Sequence, residues 1–140
     1  MASGKEHFQA ATRAAWRVTI AGVAVAPLYP ETILMAVGAH LARYVTPDLD
    51  MPQVTLEEGR ILRYSRVLGE LYIVYWMPYA RHISHRHWLS HLPGVGTAIR
   101  MIYALWWLAF YVPPLWWLPL WVGWTAVDAT HLMEDEWKLK

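Results

Sequence analysis

The 140 residues include no cysteine, so disulfides and thiolate metal ligands are both excluded. A surplus of positive charge is missing too. Twelve Lys and Arg against eleven Asp and Glu leave a formal net charge of +1, which gives no basic surface to recruit nucleic acid. The first twenty residues hold His7, Arg13 and Arg17 and lack the apolar core and cleavage site of a secretory signal, so no cleaved leader is expected. No repeat of residue identity runs along the chain, and its length leaves room for one domain only. What is present is apolar and aromatic: 56% hydrophobic residues, ten Trp and eight Tyr. The mean hydropathy of +0.20 is too high for an ordinary soluble domain and too low for a chain buried end to end. Trp and Tyr at this density suit the two interfaces of a lipid bilayer.

Two apolar stretches dominate the order of the chain. Val18 to Pro30 carries no charge and, past Glu31, the apolar character resumes to Leu41. Pro27 and Pro30 mark a turn in the middle. Met101 to Val127 carries no charge and is interrupted by Val112-Pro113-Pro114, with Trp106, Trp107, Trp116 and Trp117 on either side. The sequence therefore predicts an all-α, membrane-embedded bundle of two helical hairpins. Its four helices cover 5–26, 31–46, 96–112 and 115–136, pairing as hairpins 5–46 and 96–136. A polar, His/Arg-rich connection, 47–95, joins them and holds a helix near 56–76. Helices two and three fall short of the roughly 20 residues that cross a hydrocarbon core, which leaves shallow insertion open. None of the twelve Lys and Arg lies in either proline turn. By the positive-inside rule the open ends, both termini and the central connection are expected on the cytoplasmic side.

The residues able to carry chemistry fall at those open ends. Asp48 and Asp50 follow Pro47 at a spacing of two, and on an extended backbone they point the same way, as a pair of oxygen ligands for divalent metal would. Alternatively they are solvated loop carboxylates, Asp48 capping the next segment. His82, His85, His87 and His91 crowd ten residues, with His87 and His91 one turn apart if helical. The same run, with Arg81 and Arg86, also suits a basic loop that meets lipid phosphates. Asp128, His131 and Asp135 share one face of a helix. His7 gains meaning from the first hairpin, which returns the chain to the same rim just before Asp48. His40, inside the second helix, reads as a packed neutral histidine or as a group behind the ligands.

Four segments in this order carry a resemblance: Ser3-Gly4-Lys5-Glu6-His7, Pro47-Asp48-Leu49-Asp50, His85-Arg86-His87-Trp88-Leu89-Ser90-His91 and His131-Leu132-Met133-Glu134-Asp135. They resemble a family of uncharacterised membrane proteins described as metal-binding proteins or metal-dependent hydrolases, and the likeness covers essentially the whole chain. That family is distantly similar to zinc-dependent phospholipase C and P1-type nucleases. The resemblance implies metal ligation by His7, Asp48, Asp50, His85, His91, His131 and Asp135. His87 and Leu92 depart from the family pattern and bear on access to the metals. Ligands of this kind suit zinc first, with manganese or iron as alternatives, and two such ions would suit hydrolysis of a phosphoester. Arg81 and Arg86 are candidates to hold its phosphate. Membrane lipids are the expected partners. The alternative is a small structural subunit of a larger membrane complex, its aromatic helices packed against other subunits.

Overall fold

A computed structural model describes residues 4–27, 29–51, 53–83 and 87–137, and these form helices without strands. Seven α-helices follow one another among them: α1 Gly4–Val25, α2 Pro30–Leu41, α3 Leu56–Tyr64, α4 Arg66–His82, α5 Trp88–His91, α6 Val95–Leu105 and α7 Trp117–Trp137. Short 3-10 segments cover Pro47–Asp50, Trp106–Phe110 and Pro114–Trp116. The all-α expectation holds, with helices α1 and α7 close to their expected bounds.

Local chemistry explains most of the boundaries. Tyr29 is extended and Pro30 opens α2 at a position where its missing N–H costs nothing. Thr55 caps α3 in a capping box: Glu58 N–H donates to its hydroxyl, and its own N–H donates to Glu58 Oε2 at 2.7 Å. The helix expected near 56–76 is two helices, because Ser65 adopts an extended conformation and its hydroxyl accepts from Leu68 N–H to start α4. Helix α2 stops at Leu41 rather than 46, and α6 at Leu105 rather than 112. Past Leu105 the chain tightens into 3-10 turns on the approach to Pro113, which forbids a helical Val112.

The centre of the fold is a three-helix packing of α1, α2 and α7. Along α1 the small residues Ala11, Ala14 and Ala15 are buried at helical spacing, which lets the neighbouring helices approach. Trp124 of α7 is fully buried, and its indole N–H donates to Val45 O, tying α7 to the turn that follows α2. Helix α7 packs far more extensively on α2 than on α6, so the second hairpin is opened out. The reason is steric. Gly38 and Gly123 each lie against the backbone of the other helix at the α2–α7 crossing, where a Cβ on Gly38 would overlap the Leu120 carbonyl and one on Gly123 the Met35 carbonyl. Gly38→Ala or Gly123→Ala is expected to cost about 1–3 kcal/mol in urea unfolding through overpacking. Gly59→Ala in α3, with open space around its Cβ, is expected to be neutral or slightly stabilising.

Among the described residues no helix is long and apolar enough to cross a membrane. Helix α1 carries Lys5, Glu6, Arg13 and Arg17, α7 ends in Asp128, Glu134, Asp135 and Glu136, and α2 and α6 have only 12 and 11 residues. Of the two arrangements the sequence left open for the hairpins, full crossing has no helix to carry it among the described residues. The proline-turn end nevertheless leaves large apolar side chains open, including Val25, Phe110, Tyr111 and Leu115, all at least 75% exposed.

Candidate metal centre

Helices α1 and α7 bring two imidazoles together from opposite ends of the sequence. His7 lies in the first turns of α1 and His131 near the end of α7; both are buried, and their ring centroids are 4.3 Å apart. Asp48 joins them from the 3-10 segment, its Oδ2 lying 3.5 Å from His131 Nε2. Burial pushes the Asp48 carboxyl up. The hydrogen bond and charge of His131, with the charges of His7 and His91, outweigh that and hold it below the ordinary carboxylate range.

Asp50 does not point the way Asp48 does. Thr46 is extended ahead of Pro47, as a residue before proline should be, but Pro47–Asp50 then winds into a 3-10 helix. With three residues per turn, positions two apart are rotated roughly 240° from one another. The shared direction expected from an extended strand is therefore lost. Asp50 is buried beside α5 instead, where Ser90 Oγ donates to its Oδ2 at 2.7 Å and His91 Nδ1 lies 3.5 Å away. The two carboxylates face different imidazole-bearing elements: Asp48 faces His131 of α7, with His7 of α1 nearby, and Asp50 faces α5.

Behind this rim lies a buried polar network. Arg100 and Asp128 are each 1% exposed. The Arg100 guanidinium donates through Nη1 to Ser90 O at 2.6 Å and through Nη2 to Asp128 Oδ2 at 2.5 Å. Thr97 Oγ1 donates to the same Asp128 oxygen. Ser90 adjoins His91, and Asp128 lies one turn before His131, so Arg100 braces both histidine-bearing helices. The shared face of Asp128 and His131 on α7, expected from their spacing, is a buried one.

Glu57 is a member of this neighbourhood that the sequence did not single out. It is 3% exposed in the first turn of α3, and burial, with the nearby Asp48 charge, raises its carboxyl above the usual range. A signal existed: in Thr55-Leu56-Glu57-Glu58 the capping box uses Glu58, which leaves a second acidic residue without a local task.

The other expected site residues stand differently. His85 and Arg86 lie outside the described residues. Asp135 is on α7 one turn beyond His131, but its side chain too lies outside them. Arg81 is exposed at the end of α4. His87 is not on a helical face with His91: it precedes the single turn of α5, and its Nδ1 accepts from Leu89 N–H. His40 packs on Trp16 and contacts Thr19 and Arg43, away from the rim. Among the described residues no three His, Asp or Glu side chains converge as ligands of one ion.

An all-helical chain that gathers imidazoles and carboxylates from three distant segments at one end has the donor chemistry of a metal-binding protein. Residues 2–139 match the model of a family described as uncharacterized metal-binding protein (DUF2227), and the chain belongs to that family. No curated protein and no solved structure matches it.

Proposed function

We propose that the rim holds one or two divalent metal ions, zinc first and manganese or iron as alternatives, through His7, Asp48, Asp50, His85, His91, His131 and Asp135. The observation that carries this reading is the meeting of His7, Asp48 and His131, whose positions span almost the whole sequence. The nitrogen and oxygen donors suit such ions, and the Asp50–Ser90–His91 group lies close enough for the His91 charge to act on Asp48. Bound there, a metal would supply Lewis acidity toward water and a phosphoryl oxygen. A phosphoester is the proposed substrate class, with Arg81 and Arg86 to orient its phosphate and Glu57 to take up a proton beside Asp48. Elemental analysis of untagged protein, purified without chelator, is the test. About two ions per chain are expected, since seven His/Asp ligands exceed the needs of one tetrahedral zinc. A folded, metal-free protein would overturn the reading.

The exposed aromatic end supports a membrane setting. Phe110, Tyr111 and Trp106 suit the headgroup region, and Glu31 at the start of α2 favours lying at that depth over crossing. The Lys- and Arg-bearing rim would then face the cytoplasm. The same surface favours a second reading, a structural subunit covered by partner helices. Sizing in a neutral detergent separates the two: a stable monomer or homodimer is expected, and a chain that aggregates unless co-purified with other subunits would favour the second.

A further inference from the structure

An apolar groove of about 600 Å³ runs between α1 and α2 and shares no residue with the metal rim. Thr19, Val23 and Pro27 line one side, and Ile33, Ala36 and Val37 are among those lining the other, over roughly 12 Å of helix. Its far end is polar. His40 Nε2 lies 3.3 Å from Thr19 Oγ1, and His40 Nδ1 lies 3.3 Å from Arg43 Nη1. A guanidinium only donates, so His40 Nδ1 accepts, and the imidazole is neutral with its proton on Nε2.

Arg43 does not itself line the groove; it lies just beyond the lining residues His40 and Tyr44, as a cation whose partner there is the neutral His40. Its guanidinium sits 5.2 Å from the Phe8 ring and 5.6 Å from that of Tyr44, and no carboxylate pairs with it among the described residues. Its buried Nε has no hydrogen-bond partner. An open apolar groove whose polar end leads from His40 to a guanidinium without a carboxylate matches one ligand chemistry: a hydrocarbon chain with an anionic head.

We propose that the α1–α2 groove binds a single acyl chain, with its anionic head at Arg43 and its tail toward Pro27. The carboxylate of a fatty acid and the phosphate of a lysolipid share this chemistry. The test is equilibrium binding to the full chain, read by native mass spectrometry. Alkyl carboxylates and alkyl phosphates of increasing length are used as monomers, with alkyl maltosides as neutral comparators. Affinity is expected to rise about fourfold per added methylene while the groove is filling. Arg43→Gln is expected to weaken the anionic ligands by about tenfold or more and leave the maltosides unchanged; Arg43→Lys retains most of the binding. Ala36→Phe, at a half-buried lining position, is expected to remove both classes while helicity is kept. Whichever anionic series binds more tightly identifies the head.

Affinity independent of chain length, or anionic binding indifferent to Arg43→Gln in a folded variant, would overturn the proposal. So would a homodimer that Ala36→Phe disperses, because the groove would then hold a helix of a second copy.

Discussion

An Asp48→Ala/Asp50→Ala/His131→Ala variant is expected to purify with essentially no bound metal, against about two ions per wild-type chain. The three substitutions strip one ligand from α7 and both carboxylates from the 3-10 segment between α2 and α3. His7 and His91 are then left without the oxygen ligands that face them. Of the seven proposed ligands His7, His85, His91 and Asp135 remain, and the carboxylates of the central segment that would link them around an ion are gone. The loss must be separated from unfolding, since removing Asp50 takes one of its acceptors from the buried Ser90 hydroxyl, which keeps the His87 carbonyl, at a cost of about 0.5–1.5 kcal/mol. Asp48→Asn supplies the control. It keeps the side-chain shape at a partly exposed position, so metal content should fall while the unfolding midpoint moves little. Glu57→Gln is expected to retain the metal, because Glu57 is assigned a proton rather than an ion. A folded triple variant that keeps its full metal content would show that the ion sits elsewhere.

The sequence carried the helices better than their partners. Prolines and caps act within a few residues, so the α1–α2 turn near Pro27 and Pro30 was legible, whereas α6 was expected to run to 112 and ends at Leu105, where 3-10 turns begin. The choice of α2 as the main partner of α7 rests on Gly38 lying against the Leu120 backbone and Gly123 against that of Met35, more than 80 positions away in each case, and no local pattern announces that crossing. The uncharged stretches that suggested a membrane setting run across each turn, whereas a span needs them in one straight helix. At the site, the meeting of His7, Asp48 and His131 at one end was legible because the first hairpin returns the chain to the rim where it began and α7 ends there. The opposed directions of Asp48 and Asp50 were not, because a 3-10 turn and an extended strand are equally compatible with residues after a proline. Arg100 was counted only as one of twelve cations. Its spacing from Asp128 gives no hint that the two meet in the interior.

That interior pair predicts the largest effect on stability. Arg100→Leu would leave the Asp128 carboxylate, 1% exposed, with Thr97 as its remaining described donor, and would strip Ser90 O of its guanidinium. A buried charge deprived of its partner costs about 3–5 kcal/mol. A domain of this size is held by roughly 5–15 kcal/mol in all, so Tm should drop by on the order of 10 °C. The double variant Arg100→Leu/Asp128→Leu should recover much of the loss, because replacing both partners removes the desolvated charge along with its mate. The pair's value to the rim is then read separately. Arg100 touches Ser90, which orients Asp50 and adjoins His91, while Asp128 shares a helix face with His131. A double variant that regains stability but binds metal more weakly would identify Arg100 and Asp128 as positioning residues for the two histidine-bearing helices. One that regains both would confine the pair to packing. An Arg100→Leu chain that melts with the wild type would mean that the Asp128 charge is met by water, and that the interior between α6 and α7 is more open than its burial implies.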